Sequence, residues 1–128
     1  AAWECPIRKG HHRNEHWTSA TEQAAIVARD ILGTTRHPDD VPYFWSDQFG
    51  LKIQLVGIPD SADSVRPLHG TGAEDGPVKG TVLGYFTDER LVAVAGFGAP
   101  RHLGRYRPLV NENADLKTTL DFAAQLAP

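Results

Sequence analysis

His12 and His16 stand four residues apart with Glu15 between them, a spacing that on one helix face can hold zinc. The helix signal begins only after His16, and no second cluster of ligands accompanies the pair, so no metal site is expected. Ser46 and Asp47 carry a hydroxyl and a carboxylate side by side. They lack a Gly-x-Ser-x-Gly elbow and the strand-to-helix switch that exposes a nucleophile, so no catalytic residue is assigned. Gly70-Thr71-Gly72 opens like a dinucleotide fingerprint, but the third glycine and the following helix are missing, and it reads as loop. Arg101, Arg105 and Arg107, with His102, make a locally basic stretch suited to a solvated helix face or an acidic partner. Trp17 precedes a helix start, where unpaired amides and the positive dipole end favour an anionic or electron-rich ligand edge. Trp45 lies in a Tyr43-Phe44-Trp45 run that suits either core or a ligand surface.

The elements that must position these residues follow from periodicity. Residues 1–14 read as loop or short edge strand. Ser19-Ala20-Thr21-Glu22 has capping-box spacing, and Ala20, Ala24, Val27 and Ile31 form an apolar stripe before Gly33, predicting a helix over Thr18–Leu32. Thr34–Val41 is a polar connector. Ser46–Gly50 carries turn chemistry, and Leu51, Ile53 and Leu55 then alternate with Lys52 and Gln54 as in a half-buried strand. Ser64–Leu68 is a short strand with Pro67 marking an edge. Val78–Phe86 and Leu91–Phe97 flank a polar turn and predict a hairpin. Arg101–Val110 predicts a short helix bent or ended near Pro108. Asn113 is placed to cap a last helix that buries Leu116, Leu120, Ala123 and Ala127. The order predicts an α+β fold, a small antiparallel sheet with helices packed on it, preceded by one helix that belongs elsewhere.

Composition sets the outer limits. The chain has 128 residues, 13 basic and 16 acidic side chains and a formal charge of −3, a balance that argues against gripping nucleic acid. Cys5 alone cannot close an internal disulfide, which favours a reducing, cytoplasmic setting. No apolar run approaches the ~18 residues of a membrane helix. Methionine is absent and the chain opens on Ala1-Ala2-Trp3-Glu4, so a piece of a longer protein is expected.

Two motifs in this order, Glu15-His16-Trp17-Thr18-Ser19-Ala20-Thr21-Glu22-Gln23 and Pro42-Tyr43-Phe44-Trp45-Ser46-Asp47-Gln48, resemble the C-terminal part of FAD-dependent, NAD(P)H-linked ferredoxin reductases of oxygenase systems. The resemblance extends over nearly the whole chain and is weakest over residues 59–77. It implies that residues 1–33 are the tail of an FAD-binding domain, 34–41 a linker and 42–128 the reductase C-terminal α+β domain. It implies further that Trp17, His16, Glu15 and Trp45 border FAD, with the Trp17 backbone against the pyrimidine end of the isoalloxazine. Trp45, Arg101 and Arg105 would meet a [2Fe-2S] ferredoxin. NAD(P)H would bind through an upstream domain. Ser19 replaces the asparagine of many relatives, and both glycine-rich nucleotide fingerprints are absent. The 128-residue chain is therefore expected to retain no FAD and to be inactive alone. Monomer and homodimer both stay open, and a free-standing binding or dimerisation module with the same fold is the competing reading.

Overall fold

A computed structural model of the chain describes residues 2–4, 10–34, 41–71 and 76–126. The N-terminal segment forms a small antiparallel ladder of β1 (Trp3–Glu4) and β2 (His11–His12), followed by helix α1 (Trp17–Ile31). Strands β3 (Tyr43–Gln48), β4 (Leu51–Gly57), β5 (Ser64–His69), β6 (Thr81–Thr87) and β7 (Arg90–Phe97) make a five-stranded antiparallel sheet in the order β3-β4-β7-β6-β5. A short 3₁₀ turn at Pro59–Ser61 leads into β5, and helices α2 (Pro100–Asn111) and α3 (Leu116–Gln125) complete the chain. The α+β reading with a small antiparallel sheet is the observed architecture.

Two-residue turns fix the hairpin registers. Asp88 and Glu89 both adopt positive φ, 48° and 60°, the left-handed pair that a tight primed turn between twisted strands requires. Phe49 and Gly50 do the same between β3 and β4, so β3 continues through Ser46-Asp47-Gln48, where the sequence suggested a turn. Cross-strand pairing with Leu51, Lys52 and Ile53 wins over the weak strand propensity of those three polar residues.

The core lies on one face of the sheet. Val56, Val82, Phe86 and Val94 from the strands meet Leu103, Tyr106 and Val110 of α2 and Ala123 of α3 in one buried cluster. The opposite face carries a cross-strand row of Phe44, Leu55, Ala95, Leu83 and Pro67. Thus the alternation of Leu51, Ile53 and Leu55 is real, but these side chains lie on the face away from the core, and Gln54 and Val56 point to the helices. Pro67 sits on edge strand β5, where its missing N–H is harmless.

Several helix boundaries differ from expectation. α1 starts one residue earlier, with His16 at the N-cap and no side-chain cap. Ser19 lies inside the helix, accepting from Gln23 Nε2 at 2.8 Å, so the capping box is not formed. The buried residues of α1 are Ser19 and Gln23; Val27 and Ile31 of the expected stripe are exposed. α2 runs through Pro108 to Asn111, and Asn113 takes the positive φ that follows a helix end. The cap of α3 is Asp115, whose carboxylate accepts from Thr118 N–H at 2.7 Å. α3 buries Thr119 and Ala123, with Leu120 exposed, and Ala127 lies outside the described residues, as do linker residues 35–40.

Candidate functional site

The site grows from the start of α1. A helix leaves its first amides without internal acceptors, and at α1 no side chain caps them and no acid stands in the first turn. The amides of Trp17, Thr18 and Ser19 therefore form an electropositive end. Thr18 fastens that end to the sheet, its hydroxyl donating to the Tyr43 carbonyl at the start of β3. This one bond brings the two aromatic runs of the sequence together.

The Trp17 and Trp45 rings face one another with centroids 6.3 Å apart at 36°. Trp45 stacks on Tyr43 at 5.8 Å and 24°, and His16 meets Phe44 at 4.6 Å. The Tyr43 hydroxyl accepts from Gln54 Nε2 at 2.7 Å, which fixes the ring beneath Trp45. Two adjoining concavities flank the helix start. One, of about 350 Å³, is lined by Arg13, Asn14, Glu15, His16, Trp17, Ala20 and Gln23. The other, of about 180 Å³, is lined by Glu15, His16, Trp17, Thr18, Phe44 and Trp45. Arg13 and Glu15 form an exposed ion pair of 2.6 Å on the rim of the larger one.

The structure thus brings Glu15, His16, Trp17 and Trp45 around one place. Arg101 and Arg105 lie exposed on α2, and it is Arg107 of that basic run that reaches α1, 3.7 Å from Glu22. Two residues not singled out from sequence belong to the site: Phe44, through His16, and Gln23, which is nine-tenths buried on the wall of the larger concavity with its Oε1 unpartnered among the described residues. A polar residue three positions after Ala20, on the adjoining side of the helix, is the signal that marks it.

This arrangement offers flat aromatic surface and amide donors. Trp17 is 76% exposed, so its indole is uncovered. That combination suits a flat ligand edge that carries hydrogen-bond acceptors. The concavities are at or below the small end of the ~300–1,000 Å³ typical of ligand sites. The sequence supplies no glycine-rich loop for a pyrophosphate.

Comparison with known proteins agrees with the fold. Residues 43–126 match the family described as reductase C-terminal. The ferredoxin–NAD(+) reductase component of an anthranilate 1,2-dioxygenase system from Burkholderia cepacia is 33% identical over 109 residues, covering 85% of this chain and 26% of that protein. Rhodocoxin reductase of Rhodococcus erythropolis is 32% identical over 115 residues, covering 88% of this chain and 25% of that protein. The chain therefore spans about a quarter of the length of these relatives. Among solved structures, the covalent putidaredoxin reductase–putidaredoxin complex has a similar fold, with a TM-score of 0.79 and 20% identity over 96% of this chain and 31% of the matched one. The chain belongs to the reductase C-terminal family, the closing domain of ferredoxin reductases from oxygenase systems.

Proposed function

We propose that this chain is the C-terminal portion of a flavin-dependent ferredoxin reductase that passes electrons from NAD(P)H through FAD to a [2Fe-2S] ferredoxin in the cytoplasm. In this reading residues 1–33 complete an FAD-binding domain and 42–128 form the domain that follows it. The observation that carries the reading is the meeting of Trp17 and Trp45 over the uncapped start of α1. The relative named as the ferredoxin–NAD(+) reductase component of a dioxygenase system supports the reaction class and the ferredoxin partner.

Bound FAD would supply hydride acceptance and one-electron release. The chain's own residues would bind and orient. The amides of Trp17, Thr18 and Ser19 would donate toward the pyrimidine edge of the ring system, where negative charge grows on reduction, and the dipole of α1 would favour that charge. Trp17 and Trp45 would cover ring surface and exclude water. Glu15 and His16 would line the rim. Trp45, with Arg101 and Arg105, would face the ferredoxin, the arginines steering an acidic surface. With no nucleotide-binding loop of its own, the 128-residue chain would hold no FAD.

The test is a chimera in which this chain replaces the matching segment of rhodocoxin reductase. Trp17→Ala and Trp45→Ala are each expected to lower flavin occupancy or slow ferredoxin reduction. Normal occupancy and normal transfer in both variants would refute the site. A stoichiometric flavin absorbance band in the isolated chain would refute the claim that it cannot hold FAD.

A further inference from the structure

The end of strand β5 and the first turn of helix α2 meet through their side chains, each bringing an imidazole to the junction. The rings of His69 and His102 stack with centroids 4.4 Å apart and planes 21° from parallel. His69 Nε2 lies 2.8 Å from the phenolic oxygen of Tyr106, one turn beyond His102 and fully buried. Tyr106 in turn meets Phe122 of α3 edge-on at 5.3 Å. One line of ring contacts therefore joins β5, α2 and α3.

The protons on this line can be placed. Burial pushes the Tyr106 phenol up to about 12, so it keeps its proton at any ordinary pH. Among the described residues His69 is its hydrogen-bond partner, and a donor buried with a single partner must use it. The hydroxyl accordingly donates to Nε2, and neutral His69 carries its own proton on Nδ1.

We propose that His69, stacked on His102 and bonded to Tyr106, is a proton-sensitive latch that holds α2 against edge strand β5 while its ring is neutral and loosens when acid charges it. A proton arriving at His69 has only Nε2 to occupy. There it turns the acceptor of the Tyr106 hydroxyl into a donor and leaves the buried phenol proton without a partner. The new charge also lies against the second imidazole, which opposes charging both. The surrounding elements carry Arg66 on β5, Tyr85 on β6, Arg101, Arg105 and Arg107 on α2, and Lys117 and Asp121 on α3. Burial first, and then the charge of His102, hold His69 below its usual 6.5. Since the folded value lies under the unfolded one, the opened state binds more protons between the two. The latch is complete above pH 6.5 and is lost as the pH falls toward the folded value.

The consequence reaches the indole cleft, because Arg107 of α2 lies 3.7 Å from Glu22 of α1. Acidification would thus relax the support of the helix whose first turn frames Trp17. The proposal does not depend on what binds there.

Long-range ¹H–¹⁵N imidazole spectra of the 128-residue chain, titrated from pH 8 to pH 5, test it. His69 is expected in the Nδ1–H form at high pH, titrating below 6.5. His102→Ala removes the neighbouring charge and Tyr106→Phe the donor to Nε2, and each should raise the His69 pKa. Hydrogen-exchange protection of α2 amides should fall as the pH drops from 6.5 toward the His69 value and level off below it. His102 is half-buried, so His102→Ala remains decisive if Tyr106→Phe fails to fold. A wild-type His69 that titrates at or above 6.5, a value unmoved in His102→Ala, or α2 protection that is flat with pH would each overturn the latch.

Discussion

Replacing Gly57 by alanine should cost this domain a large share of its stability. Gly57 closes β4 with φ at +90°, a conformation side chains avoid. A methyl group there would stand 2.2 Å from the Val92 carbonyl oxygen, 2.8 Å from Ala93 Cα and 2.9 Å from Val110 Cγ1. The first two are backbone atoms of β7, in the middle of the sheet, and cannot rotate aside. Retreat of β4 would strain the Gly57 N–H bond to the Pro42 carbonyl, 2.8 Å, and that of Ile58 N–H to Val92, 3.1 Å. The left-handed backbone costs ~1–2 kcal/mol. Overpacking adds ~1–3 kcal/mol, and each weakened hydrogen bond ~1 kcal/mol. The total is ~4–7 kcal/mol, a large share of the ~5–15 kcal/mol that holds a domain.

Urea unfolding followed by circular dichroism reads the loss directly, with Gly104→Ala as the comparator. Gly104 is exposed inside α2, and an added Cβ there meets nothing within 4 Å. Relief of helix-interior glycine should stabilise the chain by ~0.5–1 kcal/mol. The two substitutions are chemically identical and opposite in expected sign. A Gly57→Ala chain within ~1 kcal/mol of wild type would refute the packing argument, given that the expected total is several-fold larger. The effect bears on function because Pro42 leads directly into Tyr43 and the strand that carries Trp45.

Other substitutions separate cap, surface and site. Asp115→Ala should lower the melting temperature, and Asp115→Asn should retain most of it, since asparagine also accepts the Thr118 amide. Hydrogen bonds from the Thr118 amide and hydroxyl hold the Asp115 carboxyl below its usual range. Its stabilisation is therefore present above pH 3.8 and lost as the pH falls through the lower folded value, which an acid melt of wild type against Asp115→Asn will register. Trp17→Ala should leave the stability of the isolated chain within ~0.5 kcal/mol, because the indole is largely exposed. The same change should impair flavin binding in the chimeric reductase. Loss of stability without loss of flavin would assign Trp17 to packing.

Much of this was legible in the sequence wherever a local rule decides. The β6–β7 hairpin, the edge position of Pro67 and the presence, though not the buried faces, of α1 and α3 depend on turn chemistry and spacing within a few residues. What escaped depends on partners distant in sequence. Periodicity marks two faces of β4 but does not say which one α2 covers; Gln54 is buried because Tyr43, eleven residues earlier, bonds its amide. Serine in α1 suggested a cap, yet Ser19 bonds Gln23 within the helix. Trp17 and Trp45 were each legible as aromatic residues near special backbone, but their meeting is a tertiary fact created at Thr18. The His69–Tyr106 contact joins residues 37 apart, beyond any local pattern.

The bonds of α1 explain why the site sits where it does. A 15-residue helix is marginal alone and ordinarily depends on an apolar face pressed against a core. Here Val27, Ile31 and Leu32 are exposed, so that contribution is missing from the second half. The helix is held through its first two turns instead, by Thr18 on the Tyr43 carbonyl, by the buried Ser19 and Gln23, and by Glu22 toward Arg107. A helix pinned at one end frays from the other. The uncapped amides and the indole pair therefore occupy the end whose position is best determined, and fraying of α1 beyond Val27 would leave them in place.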